Sequence, residues 1–125
     1  MLLLARAQSR NGLLQGDELT TAAALTVEVA YQTGATLIAG DRAGERIMGA
    51  AIALNPGGCR PADLTKRLDG QILLIISGMV AGPVGLAQTA ARLRSLGANA
   101  VHVGLLGGWP DPIPGIESIT PLGQT

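Results

Sequence analysis

Apolar residues follow two different rhythms along this chain. Between Asp17 and Thr33 the positions Leu19, Ala22, Ala23, Leu25, Val27, Val29 and Ala30 recur densely, with Asp17 and Glu18 opening the stretch and Gly34 closing it. Acid at the start and glycine just past the end are helix punctuation, so the pattern predicts a helix although Thr26, Val27 and Val29 are β-branched. Ala35 to Ala39 is a short apolar run closed by Gly40 and predicts a buried strand. Helical spacing returns from Gly44 to Leu54, where Ile47, Met48, Ala50, Ala51 and Leu54 form a stripe. The Gly/Pro loop from Asn55 to Pro61 breaks it, and a polar connector, Asp63 to Asp69, follows. Gln71-Ile-Leu-Leu-Ile-Ile-Ser77 is the strongest strand signal. Its apolar run is unbroken, which implies a strand covered on both faces.

After the loop Ser77 to Pro83, the next helix extends to Leu96, with Leu86, Ala90, Leu93 and Leu96 at helical spacing and Gly97 as its stop. Asn99 to Leu106 predicts a third buried strand. Strand, helix, strand in this order implies right-handed parallel crossovers, hence an α/β domain with an open parallel sheet in three α/β/α layers. Leu2 to Ala5 reads as a short edge strand. From Gly107 the prolines at 110, 112, 114 and 121 predict an extended or irregular tail. The organisation expected is one domain over residues 1–106 and a proline-rich tail over 107–125.

With 125 residues, the chain has the size of one ordinary domain. Charged residues make up 14% of it, against about 25% in an average protein. A low-charge surface on so small a domain points to cover by another subunit, a homodimer or a larger partner, against the alternative of a poorly soluble monomer. Net charge is zero, no three basic residues adjoin, and Trp109 and Tyr31 are the only aromatics. Nucleic acid is therefore excluded as the main partner, since neither a phosphate-neutralising patch nor a stacking platform is present. Nothing approaches the 18 or so apolar residues of a membrane span, and Arg6 and Arg10 interrupt the apolar start. The single Cys59 cannot make an internal disulfide, which fits a reducing, cytoplasmic setting. Cys59 as nucleophile would need a base, but the one histidine, His102, alternates with valines in a strand and reads as structural; Trp109 reads as a cap on the core or an interface.

Chemistry is expected where strands end and helices begin. Two glycine loops hold that position. Gly40-Asp-Arg-Ala-Gly-Glu-Arg46 offers backbone N–H groups at Ala43 and Gly44 and a guanidinium fork at Arg42. Ser77-Gly78 through Ala81-Gly82-Pro-Val84-Gly85 is a second loop of small residues able to wrap a phosphate. Each also reads as a device for packing a helix close to the sheet. Asp41 and Glu45 are the only carboxylates near the cleft, so catalysis or an Mg²⁺-assisted role would fall on them; otherwise they are helix N-terminal charges. No metal site and no resident cofactor is expected.

Lys66 to Ile76, Gln88 to Ala98 and Val101 to Val103, with Gly34 to Gly44 ahead of them, resemble the core of type I phosphoribosyltransferases. The resemblance covers about residues 34 to 106 and implies that family's fold in a short form. It implies a diphosphate loop at Gly40 to Gly44 and a phosphate loop at Gly78 to Gly85. In that family two acids end the strand before the phosphate loop, and three threonines follow. Here Ile76 and Ser77 stand at the acid positions, and Val80, Ala81 and Val84 replace the threonines. Losing two charge-assisted contacts to a ribose would cost about 1.5 to 3 kcal/mol each. The expectation is a non-catalytic phosphoribosyltransferase-like domain that binds a phosphorylated small molecule or nucleotide, or serves regulation or assembly. Against it stand an active transferase with an atypical site using Asp41, Arg42 and the Gly82 loop, a sugar-isomerase-type module using Ser77, and a structural subunit with no ligand.

Overall fold

The computed structural model describes residues 17–42, 44–78, 82–106 and 112–122. Its elements are α1 (Asp17–Thr33), β1 (Leu37–Gly40), α2 (Glu45–Leu54), β2 (Arg60–Pro61), β3 (Ile72–Ser77), α3 (Gly82–Ser95), β4 (Ala100–Leu105) and β5 (Ser118–Pro121). The expected edge strand at Leu2 to Ala5 lies outside the described residues.

Ala22, Thr26, Val29 and Ala30 form the buried stripe of α1. Thr26 is tolerated there because its hydroxyl donates back to the Ala22 carbonyl at 2.8 Å. Gly34, at φ +77°, reverses the chain in the left-handed region, and the Ala35 N–H closes onto the Ala30 carbonyl at 3.0 Å. Gly97, at φ +102°, ends α3 the same way, with Ala98 N–H on the Leu93 carbonyl at 3.1 Å. Both stops are glycine for the same reason, the left-handed residue after the last turn.

The strands form one five-stranded sheet in the order β2-β1-β3-β4-β5, with every neighbouring pair parallel. As the unbroken run at 71–77 predicted, β3 is covered on both sides. Leu74 and Ile76 join Ala22, Val29, Ala30 and Ile47 under α1 and α2. Leu73 and Ile75 join Leu86, Ala90 and Leu93 under α3. The crossover from β1 to β2 runs through α2 one way along the sheet, and that from β3 to β4 runs through α3 the other way. Right-handed crossovers in opposite directions must lie on opposite faces, and the two core clusters place these helices so. The strand order therefore reverses between β1 and β3, and their carboxyl ends diverge into helices on opposite sides.

Part of the segment expected to be an extended or irregular tail outside the domain adds a strand to its sheet. Ser118–Pro121 pairs with β4 in parallel, His102 opposite Ser118 and Leu105 opposite Pro121. Leu122 is buried in the α1/α2 cluster and Ile113 in the α3 cluster. Prolines misled the sequence reading because only Pro121 lies in the strand, and an edge strand tolerates its missing N–H. Gly104 makes room for this closure, since a Cβ there would stand 2.8 Å from Leu122 Cδ1. Glu117 fixes the entry to β5: its carboxylate accepts the Val101 N–H at 2.6 Å and pairs with Arg94. β2, two residues paired with Leu37 and Ile38, had no signal in the apolar pattern. No helix among the described residues is long and apolar enough to cross a membrane.

Candidate functional site

The reversal between β1 and β3 is where the two glycine loops leave the sheet. Gly40 sits opposite Ile76 in the ladder, and the Asp41 N–H continues it onto the Ile76 carbonyl at 3.1 Å. Asp41 thereby faces the end of β3. Its Oδ2 accepts the Ser77 hydroxyl at 2.8 Å and the Gly78 N–H at 3.0 Å. Its Oδ1 accepts the Gly44 N–H at 3.0 Å, and its main-chain carbonyl accepts the Glu45 N–H, also at 3.0 Å. A carboxylate at a helix N-terminus is stabilised by the dipole and by charge-assisted hydrogen bonds. Here Asp41 fills that place for α2 and ties the two loops together.

Gly44 is glycine for packing. A Cβ on it would lie 2.2 Å from the Ile76 carbonyl oxygen, so only a bare Cα lets the start of α2 rest on the end of β3. The N–H expected to face an external anion at Gly44 is directed to Asp41. Arg42 and Glu45 are exposed beside this contact. On the other loop, Gly82 opens α3, Val84 is 70% exposed, and Gly85 is partly buried. Ala43 and Ala81 lie outside the described residues, as does Trp109.

Between these loops and α3 lies a cavity of about 220 Å³. Asp41, Ser77, Gly85 and Thr89 line it with Leu86 and Leu93. Thr89 went unnoticed in the sequence, although it falls one helical turn after Gly85 on the same face. Its hydroxyl donates to the Gly85 carbonyl at 3.0 Å. Ser77 and Asp41 were both singled out, but nothing in a sequence announces that side chains 36 positions apart will share a hydrogen bond.

The chain matches no protein-family model, no curated protein and no solved structure. The chemistry must therefore be read from the residues themselves. Among the described residues no group of three or more His, Cys, Asp or Glu side chains is placed to hold a metal ion.

Cys59 and His102 lie away from the reversal point. Cys59 borders a different cavity, about 200 Å³, at the amino end of β1, where its thiol donates to the Ala35 carbonyl at 3.4 Å. Burial pushes that thiol's pKa up, which disfavours the nucleophilic thiolate. His102 Nδ1 shares a hydrogen bond with Ser118 Oγ at 2.7 Å. Burial lowers its pKa, and the pair joins β4 to β5 as a structural contact.

Proposed function

We propose that this protein is a phosphoribosyltransferase-like domain that binds a phosphorylated small molecule at the reversal point and does not transfer a phosphoribosyl group. The observation that carries this reading is the Asp41 bridge to Ser77 and Gly78 beside a cavity at the carboxyl ends of β1 and β3. That is the place where ligands enter open parallel sheets. The phosphate belongs at the start of α3, where Gly82 to Gly85 bring backbone close to a positive helix end. Absence of transfer follows from the strand end. Ile76, at one of the family's acid positions, is wholly buried, and Ser77 at the other carries no charge.

The low share of charged residues and the exposed Tyr31, Leu54 and Val84 support assembly with a second copy or a partner protein. Cytoplasmic placement is the setting that a lone unpaired cysteine fits best.

The test is a calorimetric titration of the purified protein with phosphoribosyl diphosphate and Mg²⁺, with ribose 5-phosphate and hexose phosphates as controls. The expected result is binding of ribose 5-phosphate, no Mg²⁺-dependent gain with the diphosphate, and no turnover. Tight Mg²⁺-dependent binding with product formation would establish an active transferase instead. Silence with every compound would leave a subunit kept for assembly.

A further inference from the structure

The cavity at the reversal point has walls of two kinds. Ile75, Leu64, Leu86 and Leu93 are apolar, while Asp41, Ser77 and Thr89 bring oxygen. Of these, the Thr89 hydroxyl proton is spent on the Gly85 carbonyl and that of Ser77 on Asp41. A carboxylate offers about four acceptor sites on its two oxygens. Three donors occupy Asp41: Ser77 and Gly78 on Oδ2, Gly44 on Oδ1. Among the described residues no further donor reaches it, which leaves one acceptor site on Oδ1.

That remainder selects the ligand group. A phosphate in the loop after β1 would meet a carboxylate already seated on the Gly44 N–H, with the Glu45 N–H taken by the Asp41 carbonyl. The like charge of Asp41 and the loss of these two donors both disfavour it there. A hydroxyl, in contrast, can donate to Oδ1 while its carbon skeleton packs on Leu86 and Leu93. Size narrows the choice further. At about 220 Å³ the cavity is below the roughly 300 Å³ at which pockets for drug-sized ligands begin, so it suits a single sugar and not a sugar with its base.

Resting on the proposed function above, we infer that this cavity holds the neutral polyol part of the ligand. Asp41 accepts one of its hydroxyls, and the phosphate lies outside, toward α3. Asp41 is then a binding residue, and the loop after β1 reads sugar where the sequence suggested phosphate.

The experiment compares calorimetric affinities of the whole chain for ribose 5-phosphate and for inorganic phosphate. It is repeated in Asp41→Asn and in Thr89→Leu, a substitution that fills the cavity from α3 and keeps the Asp41 carboxylate. The expected result is a preference for ribose 5-phosphate of about tenfold or more, the scale of one hydrogen bond to a charged group, falling to near one in both variants. Should Asp41→Asn fail to fold, Thr89→Leu alone decides. A preference that is absent in the wild type, or that survives Thr89→Leu, overturns the polyol site while leaving phosphate binding intact. If neither compound binds, the proposed function falls and this inference with it.

Discussion

Two cavities of nearly equal volume lie at opposite ends of β1, and they differ in what their polar groups have left to offer. The one at the amino end, about 200 Å³, is bordered by Thr26, Gly34, Asn55 and Cys59. There the Thr26 hydroxyl is turned back onto its own helix, and the Cys59 thiol donates to the Ala35 carbonyl. The one at the carboxyl end, about 220 Å³, contains a carboxylate on which the described residues leave one acceptor site unspent. Volume alone would rank them alike. What separates them is that a cavity becomes a site when a polar group held in place inside it still has bonding capacity, and the strand-order reversal is what holds Asp41 there, on three donors.

The largest effect expected comes from breaking the carboxyl end itself. Gly44→Ala would drive a methyl into the Ile76 carbonyl, whose oxygen stands 2.2 Å from the position it would take. Backbone cannot step aside as a side chain can, so the loss should be about 3 kcal/mol, the upper part of the overpacking range. Gly49→Ala, in the same helix with nothing within 4 Å of its Cβ, should instead stabilise by about 0.5 to 1 kcal/mol. Urea unfolding of both variants checks the pair. Equal effects would mean that Gly44 is not set by packing and that its loop is free to move onto a ligand.

This contrast also marks how far the sequence could be read. The three inner strands, β1, β3 and β4, and the three helices were legible because each buries a continuous face, and burial writes a period into the residues. Gly34 and Gly97 were legible because a left-handed stop has few substitutes. β2 and β5 were not: two and four residues at sheet edges bury too little to show a period, and the prolines around β5 argued the other way. At the site, Asp41, Ser77, Gly78 and Gly85 were each nameable from their loops. Their meeting was not, because it depends on β1 and β3 being neighbours, a fact of strand order. Nor did glycine at position 44 disclose whether it served a ligand or the Ile76 carbonyl.

Next in size is removal of the bridge. Asp41→Ala removes the carboxylate that accepts from the Gly78 N–H and the Ser77 hydroxyl and leaves the Gly44 N–H only the main-chain carbonyl of residue 41, and a cost of about 2 kcal/mol is expected from groups that are partly buried. Urea unfolding measures it, and a change below about 0.5 kcal/mol would show that water replaces the carboxylate without penalty.

At the amino-end cavity the expected changes are smaller. Cys59→Ala should cost up to about 1 kcal/mol for a half-buried thiol and leave the affinity for ribose 5-phosphate unchanged. Because burial raises the thiol pKa, iodoacetamide at neutral pH should alkylate the folded protein more slowly than the urea-unfolded chain. Faster alkylation of the folded form would mark Cys59 as activated and reverse the ranking of the two cavities.

The smallest effect separates whole-domain stability from the site. His102 lines neither cavity, and its folded pKa lies below the ordinary 6.5 because burial disfavours the charged ring. Between those two values the unfolded chain binds more protons than the folded one, so stability rises with pH through that window and is lost as the pH falls below about 6.5. Asp63 is also shifted down from its ordinary 3.8, chiefly by the hydrogen bond from the Thr65 hydroxyl. Its contribution disappears in the same direction but only at far lower pH, so the two do not overlap. Thermal unfolding from pH 7.5 to 5.5 should therefore show a modest decline that His102→Gln removes. If the decline persists in that variant, another group titrates in the window; if the wild type shows none, the ring holds its proton equally well in both states.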